Sequence, residues 1–179
     1  IAGHKEAAMC PSAVRTRLLV VLSGMIALAF LAKLGPLPAA AVSDQVVLYA
    51  QADSWVDQLN PDANYGTGSE LQVALVQGKD GSYYQRETLL LFDPSLPPGA
   101  IVDLASLWLY QTGASGPKEY FIWPEAAGES WDEMKVTWSS KPWYAGMGDP
   151  AAPMDLSTGW KALNVTNIVS SWAMGQWPN

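Results

Sequence analysis

The side chains that most catalytic sites rely on are scarce in this sequence. Its single His is His4 and its single Cys is Cys10, both close to the first residue. A Ser–His nucleophile needs an imidazole within hydrogen-bond reach, and a His-based zinc site needs several. Neither can be built here. Once the segment holding Cys10 is set aside, disulfides, thiol catalysis and thiolate metal sites are excluded as well. A glycosidase needs two carboxyl groups about 5 to 10 Å apart. Glu125, Glu129, Asp132 and Glu133 could supply such a pair. Yet Ser130-Trp131-Asp132-Glu133 reads as a capping box, with Glu133 engaged as the cap and Asp132 in a first helical turn, where acids are favoured. Structural or solvated roles are therefore expected for these carboxylates.

A second cluster, Asp53, Asp57, Asn60, Asp62 and Asn64, carries the oxygen ligands that Ca²⁺ prefers. It lacks the acidic residue at position twelve of a hand-type loop, and Asn and Asp in such segments also bond their own turns. Asp57, Asp62 and Asn64 are the calcium candidates, with turn chemistry as the competing reading.

Aromatic side chains are the informative class. All 9 Trp and all 7 Tyr lie after residue 41. Sugars present flat apolar faces that stack on such rings, provided the ring faces solvent. Trp108 and Tyr110 oppose the face shared by Ala105, Leu107 and Leu109, so they point away from that layer. Trp143 and Tyr144, beside Lys141, fall in a turn-rich segment. These five residues are the candidate ligand contacts. The competing reading is that the rings fill gaps, since Trp is rarely fully buried. Trp131, Trp138 and Trp172 are expected in the core.

The elements that must position these residues follow a basic, apolar leader. Residues 1–8 precede Met9, a plausible start. Arg15 and Arg17 then lead into the apolar run Leu18–Ala32, and Ala39-Ala40-Ala41 forms a small-residue cleavage site. This is the layout of a secretory signal peptide over residues 9–41, too short at its core for the roughly 20 residues of a membrane span. The exported chain would begin at Val42. Glu6, Lys5, Arg15, Arg17 and Lys33 lie before it, which leaves 16 acidic and 6 basic groups and a net charge near −10. That charge argues against nucleic acid and anionic membrane surfaces as partners.

From Val42 onward short alternating or apolar runs are separated by Gly, Pro and Asn/Asp clusters, the pattern of an all-β sandwich. Strands are expected at Val46–Ala50, Leu71–Leu75, Thr88–Phe92, Leu104–Gln111, Tyr120–Trp123, Val136–Trp138 and Trp160–Val165. Asn167–Met174 is expected as the one real helix, with Ile168, Val169 and Trp172 on its buried side and Gly175 past its end. Leu71, Val73, Leu89, Phe92, Leu107, Leu109, Val136 and Trp138 should be core.

Four stretches together resemble the DNRLRE module, also classed as carbohydrate-binding module family 96. They are Ala52–Asp57 running into Pro61–Gly66; Arg86–Asp93 running into Leu96–Ala100; Trp131-Asp132-Glu133 with Val136-Thr137-Trp138 and Pro142; and Val165–Val169 with Trp172 and Gly175. The resemblance covers residues 46–179. It implies a jelly-roll-like antiparallel β-sandwich with one short C-terminal helix, exported and non-catalytic. Two departures stand out. Leu91 occupies a position that is often basic in the family, and the sequence stops at Trp177-Pro178-Asn179, where relatives continue into a last strand. The module is therefore read as truncated at its C-terminus, with neighbouring domains missing. The expected function is attachment of a secreted or surface protein to a polysaccharide, neutral rather than anionic. The alternative is a structural module of a surface fibre, adhesin or stalk without sugar affinity, and a free-standing hydrolase or lyase is the least supported reading.

Overall fold

The computed structural model describes the backbone of residues 17–21, and backbone and side chains of residues 45–93, 96 and 100–176. Cys10, the expected cleavage site at Ala39–Ala41 and Trp177 lie outside the described residues. Among the described residues ten strands occur in chain order: β1 (Arg17–Val21), β2 (Gln45–Asp57), β3 (Ala74–Gln77), β4 (Tyr83–Phe92), β5 (Ala105–Gln111), β6 (Glu119–Ile122), β7 (Glu125–Ala127), β8 (Tyr144–Gly148), β9 (Ala152–Asp155) and β10 (Gly159–Asn164). One helix, α1 (Thr166–Ala173), follows. A six-stranded sheet runs β10-β5-β1-β2-β4-β3, and β6–β9 and β7–β8 form two-stranded pairs. Every pairing is antiparallel. The protein is thus a mostly antiparallel β-structure of several sheets with a short C-terminal helix.

Period-two patterning decides which side of the large sheet is core. Leu107 registers with Leu163, and Ala105 and Leu107 share a face with Leu109. That face meets a cluster of Phe92, Ala105, Ala126, Val165, Ile168 and Val169, against which Leu48, Leu90, Leu107 and Trp172 pack. The helix is fixed at both ends by hydrogen bonds. The buried Asp149 carboxylate accepts the N–H groups of Asn167 (3.0 Å) and Ile168 (3.1 Å), donors that the first helical turn leaves unpaired. At the other end Gly175 takes φ +67°, and Gln176 N–H reaches back to the Ser171 carbonyl, 3.0 Å away.

Three expectations need correction. The strand expected at Leu71–Leu75 lies at Ala74–Gln77, and Val73 is exposed rather than core. Gln72 explains the shift, because its side chain accepts from Arg86 and its carbonyl from the Thr88 hydroxyl, in place of ladder partners. Val136–Trp138 is no strand. The Asp132 carbonyl accepts from both Lys135 and Val136, which turns the chain, and Trp138–Ser140 is a short 3-10 turn. Glu133 is not the cap of Ser130: its Oε1 accepts the Asp53 N–H at 3.0 Å, eighty residues away. Phe92 and Val136 are buried as expected, whereas Leu71, Leu89, Leu107, Leu109, Trp131, Trp138 and Trp172 are half-buried.

Candidate functional site

The outward face of the six-stranded sheet carries the first group of candidate rings. Trp108 and Tyr110 lie on it together, and directly across the ladder Tyr110 registers with Trp160 and Trp108 with Ala162. Tyr110 and Trp160 meet edge to face, with ring centres 5.4 Å apart at 81°, and remain 41% and 49% exposed. Edge-to-face contact is a favoured geometry for aromatic pairs, so each ring holds the other in place. Trp108 is half-buried, and its indole N–H is enclosed with no hydrogen-bond partner among the described residues. It therefore offers less surface to a ligand than Tyr110 and Trp160 do. Trp160, absent from the expected set, is legible in hindsight as the outward partner of Ala162 in an alternating strand.

Lys141, Trp143 and Tyr144 do not form one platform. Trp143 is exposed, and its indole lies so close over Gly128 that a Cβ there would meet ring atoms at 2.5 Å. Tyr144 instead joins Lys141 and Glu87. Lys141 Nζ lies 2.6 Å from the Glu87 carboxylate and 2.8 Å from the Tyr144 hydroxyl, which itself donates to Glu87. The ammonium also sits 3.7 Å from the centre of the Trp138 ring. Burial, and then the hydrogen bond and charge of Glu87, push the Tyr144 hydroxyl pKa upward. Glu87 and Trp138, which sequence reasoning did not place here, complete a closed polar cluster whose cation is already neutralised. A further exposed ring pair, Phe121 and Trp123, lies at 6.2 Å on and just beyond β6.

Asp57, Asp62 and Asn64 do not converge. The Asp57 carboxylate, 1% exposed, accepts from Leu59 N–H (3.0 Å) and Asn60 Nδ2 (2.9 Å) and pairs with Arg86 at 3.3 Å. Burial alone would raise its pKa, but those hydrogen bonds and the guanidinium outweigh it and hold the pKa below the ordinary value. Asp62 accepts the Ser139 hydroxyl at 2.9 Å. Asn64 donates to the carbonyls of Glu133 (2.8 Å) and Val136 (2.7 Å) and accepts from Gly66 N–H. At Gly66 a Cβ would lie 2.1 Å from the Glu133 carbonyl oxygen, so the approach admits only glycine. The cluster stitches the 57–68 loop onto the 132–140 loop. Among the described residues no group of three His, Cys, Asp or Glu side chains is placed to hold a metal ion.

Of the four carboxylates weighed for catalysis, Asp132 and Glu133 are engaged in structure, and Glu125 and Glu129 are exposed. Glu133 holds Asp53 N–H, and Asp132 accepts Met134 N–H and pairs with Lys135. A recess lined by Gly146, Met147, Gly148, Asn167, Ser170 and Met174 contains neither ring nor carboxylate. No described helix is long and apolar enough to cross a membrane.

Exposed rings on an antiparallel sheet, with no His or Cys among the described residues, fit a β-structured binding module. The chain belongs to carbohydrate-binding module family 96, whose profile matches residues 44–177. It is accordingly a non-catalytic binding module rather than an enzyme, and polysaccharide is its general class of partner. No curated protein and no solved structure shows significant similarity to it.

Proposed function

We propose that this module, exported by its residue 9–41 leader, holds the protein that carries it to a neutral polysaccharide, and that its strands assemble as a jelly-roll-like β-sandwich. The observation that carries the ligand reading is the Tyr110–Trp160 pair, two rings held half-exposed as direct partners on the β5–β10 ladder. Sites built on strands are held more firmly than sites on loops. A sugar ring that stacks on one aromatic face meets the rim of the other, which adds contact without requiring charge.

Electrostatics supports a neutral ligand. Of the 6 basic side chains after Val42, Arg86, Lys135, Lys141 and Lys161 are each paired to a carboxylate. A polyanion would meet a net charge near −10 with most cations already engaged, and repulsion would weaken its binding most at low salt. Affinity electrophoresis through gels containing neutral or acidic polysaccharides tests the reading. Retardation by at least one neutral polysaccharide is expected. Retardation by the acidic set alone overturns the neutral assignment, and no retardation by any glycan transfers the role to a structural module of a surface fibre or stalk. Export is tested separately by the N-terminus of secreted material, expected near Val42.

A further inference from the structure

Trp160, Ala162 and Asn164 are the exposed residues of β10, while Leu163 between the last two is buried. Each stands directly across the ladder from a residue of β5: Trp160 from Tyr110, Ala162 from Trp108, and Asn164 from Ser106. Residues two apart on a strand, and their cross-strand partners, share one side of the sheet, so the three pairs form one strip. Its character changes step by step. The first pair is the two exposed rings. The second is low, because Ala162 adds only a methyl group and Trp108 is half-buried. The third is polar. From Trp160 to Asn164 the strip runs about 13 Å, four residues of strand rise. No carboxylate, ammonium or guanidinium belongs to it.

The Asn164 side chain is held in a fixed pose. Its Oδ1 accepts the Thr166 N–H at 2.9 Å and the Thr166 hydroxyl at 2.7 Å. That hydroxyl oxygen in turn accepts the Ala105 N–H at 3.0 Å, which ties the turn to β5. An amide oxygen has two lone pairs, and both are engaged here. The Nδ2 hydrogens find no acceptor among the described residues, and the side chain is exposed. Donation is the one capacity this amide has left.

We propose, on the reading that Tyr110 and Trp160 form the stacking platform, that Asn164 is the specificity-determining contact of the glycan site. The site then takes an internal run of a neutral oligosaccharide rather than a single sugar. One unit stacks on the rings, the chain passes over the low Ala162 step, and Nδ2 donates to a hydroxyl or ring oxygen of a later unit. Stacking tolerates many sugars, whereas a fixed donor accepts only an oxygen in the right place. Because the strip is aromatic at one end and polar at the other, the chain lies along it in one direction.

The test uses the full chain and the neutral β-glucan, β-mannan or xylan that retards it in affinity electrophoresis, supplied as disaccharide and hexasaccharide. Wild type is expected to bind the hexasaccharide at least about tenfold more tightly than the disaccharide. Asn164→Ser keeps an oxygen for the Thr166 N–H but loses the Nδ2 donors. It should bind the hexasaccharide about fivefold more weakly, the worth of one hydrogen bond, and the disaccharide as wild type does. Ala162→Leu raises the step without adding a ring, and should bring hexasaccharide affinity down toward that of the disaccharide. Trp160→Ala should weaken both. Equal binding of the two sugars by wild type, or unchanged hexasaccharide affinity in Ala162→Leu, overturns the extended strip. Unchanged hexasaccharide affinity in an Asn164→Ser protein that melts like wild type overturns the role of Asn164 and leaves the ring pair standing. Unaltered binding of both sugars by Trp160→Ala removes the platform, and retardation by no neutral glycan overturns platform and strip together.

Discussion

The Trp160 ring stands edge-on to Tyr110, 5.4 Å centre to centre, and the two residues are direct partners across the β5–β10 ladder. Their backbone register and their ring contact enforce each other, which keeps two half-exposed aromatics in a fixed relation on the sheet surface. Because both rings are about half exposed, their removal should cost far less than removal of a core side chain. Tyr110→Ala and Trp160→Ala are each expected to cost no more than about 1.5 kcal/mol, the worth of an aromatic pair. Phe92→Ala, at a side chain 4% exposed in the central cluster, should cost about 3 to 5 kcal/mol. Urea unfolding of the three variants checks the contrast.

Asn64 should matter more than any other polar residue of its loop. Its amide nitrogen serves two carbonyls on the 132–140 loop at once. Asn64→Ala leaves both short of a donor and is expected to destabilise the protein by about 1 to 3 kcal/mol. Gly66→Ala should be worse, since the added Cβ meets backbone rather than a side chain that could swing away. Thermal melting of both variants would show the order. An Asn64→Ala protein as stable as wild type would mean that the loop contact contributes nothing.

Acid stability should depend on Asp57. Its folded pKa is held below the ordinary carboxylate value, so the native state favours the charged form more than the unfolded chain does. That stabilisation is present above the unfolded pKa of about 4 and is lost as pH falls through the folded value. Asp57→Asn should therefore lower the melting temperature at pH 7, and the gap to wild type should close below pH of about 4. Asp53 has the opposite sign. Burial and the nearby charge of Glu133 raise its pKa, so Asp53→Asn is expected to raise the melting temperature at neutral pH, with less gain in acid.

Calcium is a further test of the acidic loop. Asp57, Asp62 and Asn64 are each committed to a different protein partner. Millimolar calcium should leave the melting temperature where a chelator leaves it, because only a ligand that binds the native state stabilises it. A clear rise would show that the loop rearranges to take the ion.

Much of this molecule is legible in its residues, and the parts that are not share a cause. Alternation marks β5, where period two survives because one sheet face is core, and the unbroken apolar run Thr88–Phe92 marks the end of β4. The helix was visible through its buried stripe and Gly175. At Leu71–Leu75 an alternating pattern says nothing of a Gln72 carbonyl claimed by the Thr88 hydroxyl and a Gln72 side chain claimed by Arg86. At Glu133 a local capping signature lost to a long-range partner, Asp53, that sequence spacing cannot reveal. For the candidate site, the outward direction of Trp108 and Tyr110 followed from alternation alone. Their union with Trp160 depended on a strand pairing fifty residues away, and the separation of Trp143 from Tyr144 depended on the contacts each ring makes.

The Tyr110–Trp160 pair is proposed to bind a neutral glycan by stacking. The most direct measurement is a titration of wild type and Trp160→Ala with the neutral polysaccharide that retards the module, at low and at high salt. Wild-type affinity should be nearly unchanged by salt, and Trp160→Ala should bind about tenfold more weakly while melting like a folded protein. Unaltered affinity in Trp160→Ala, with loss on Trp143→Ala or Trp123→Ala instead, would contradict the assignment.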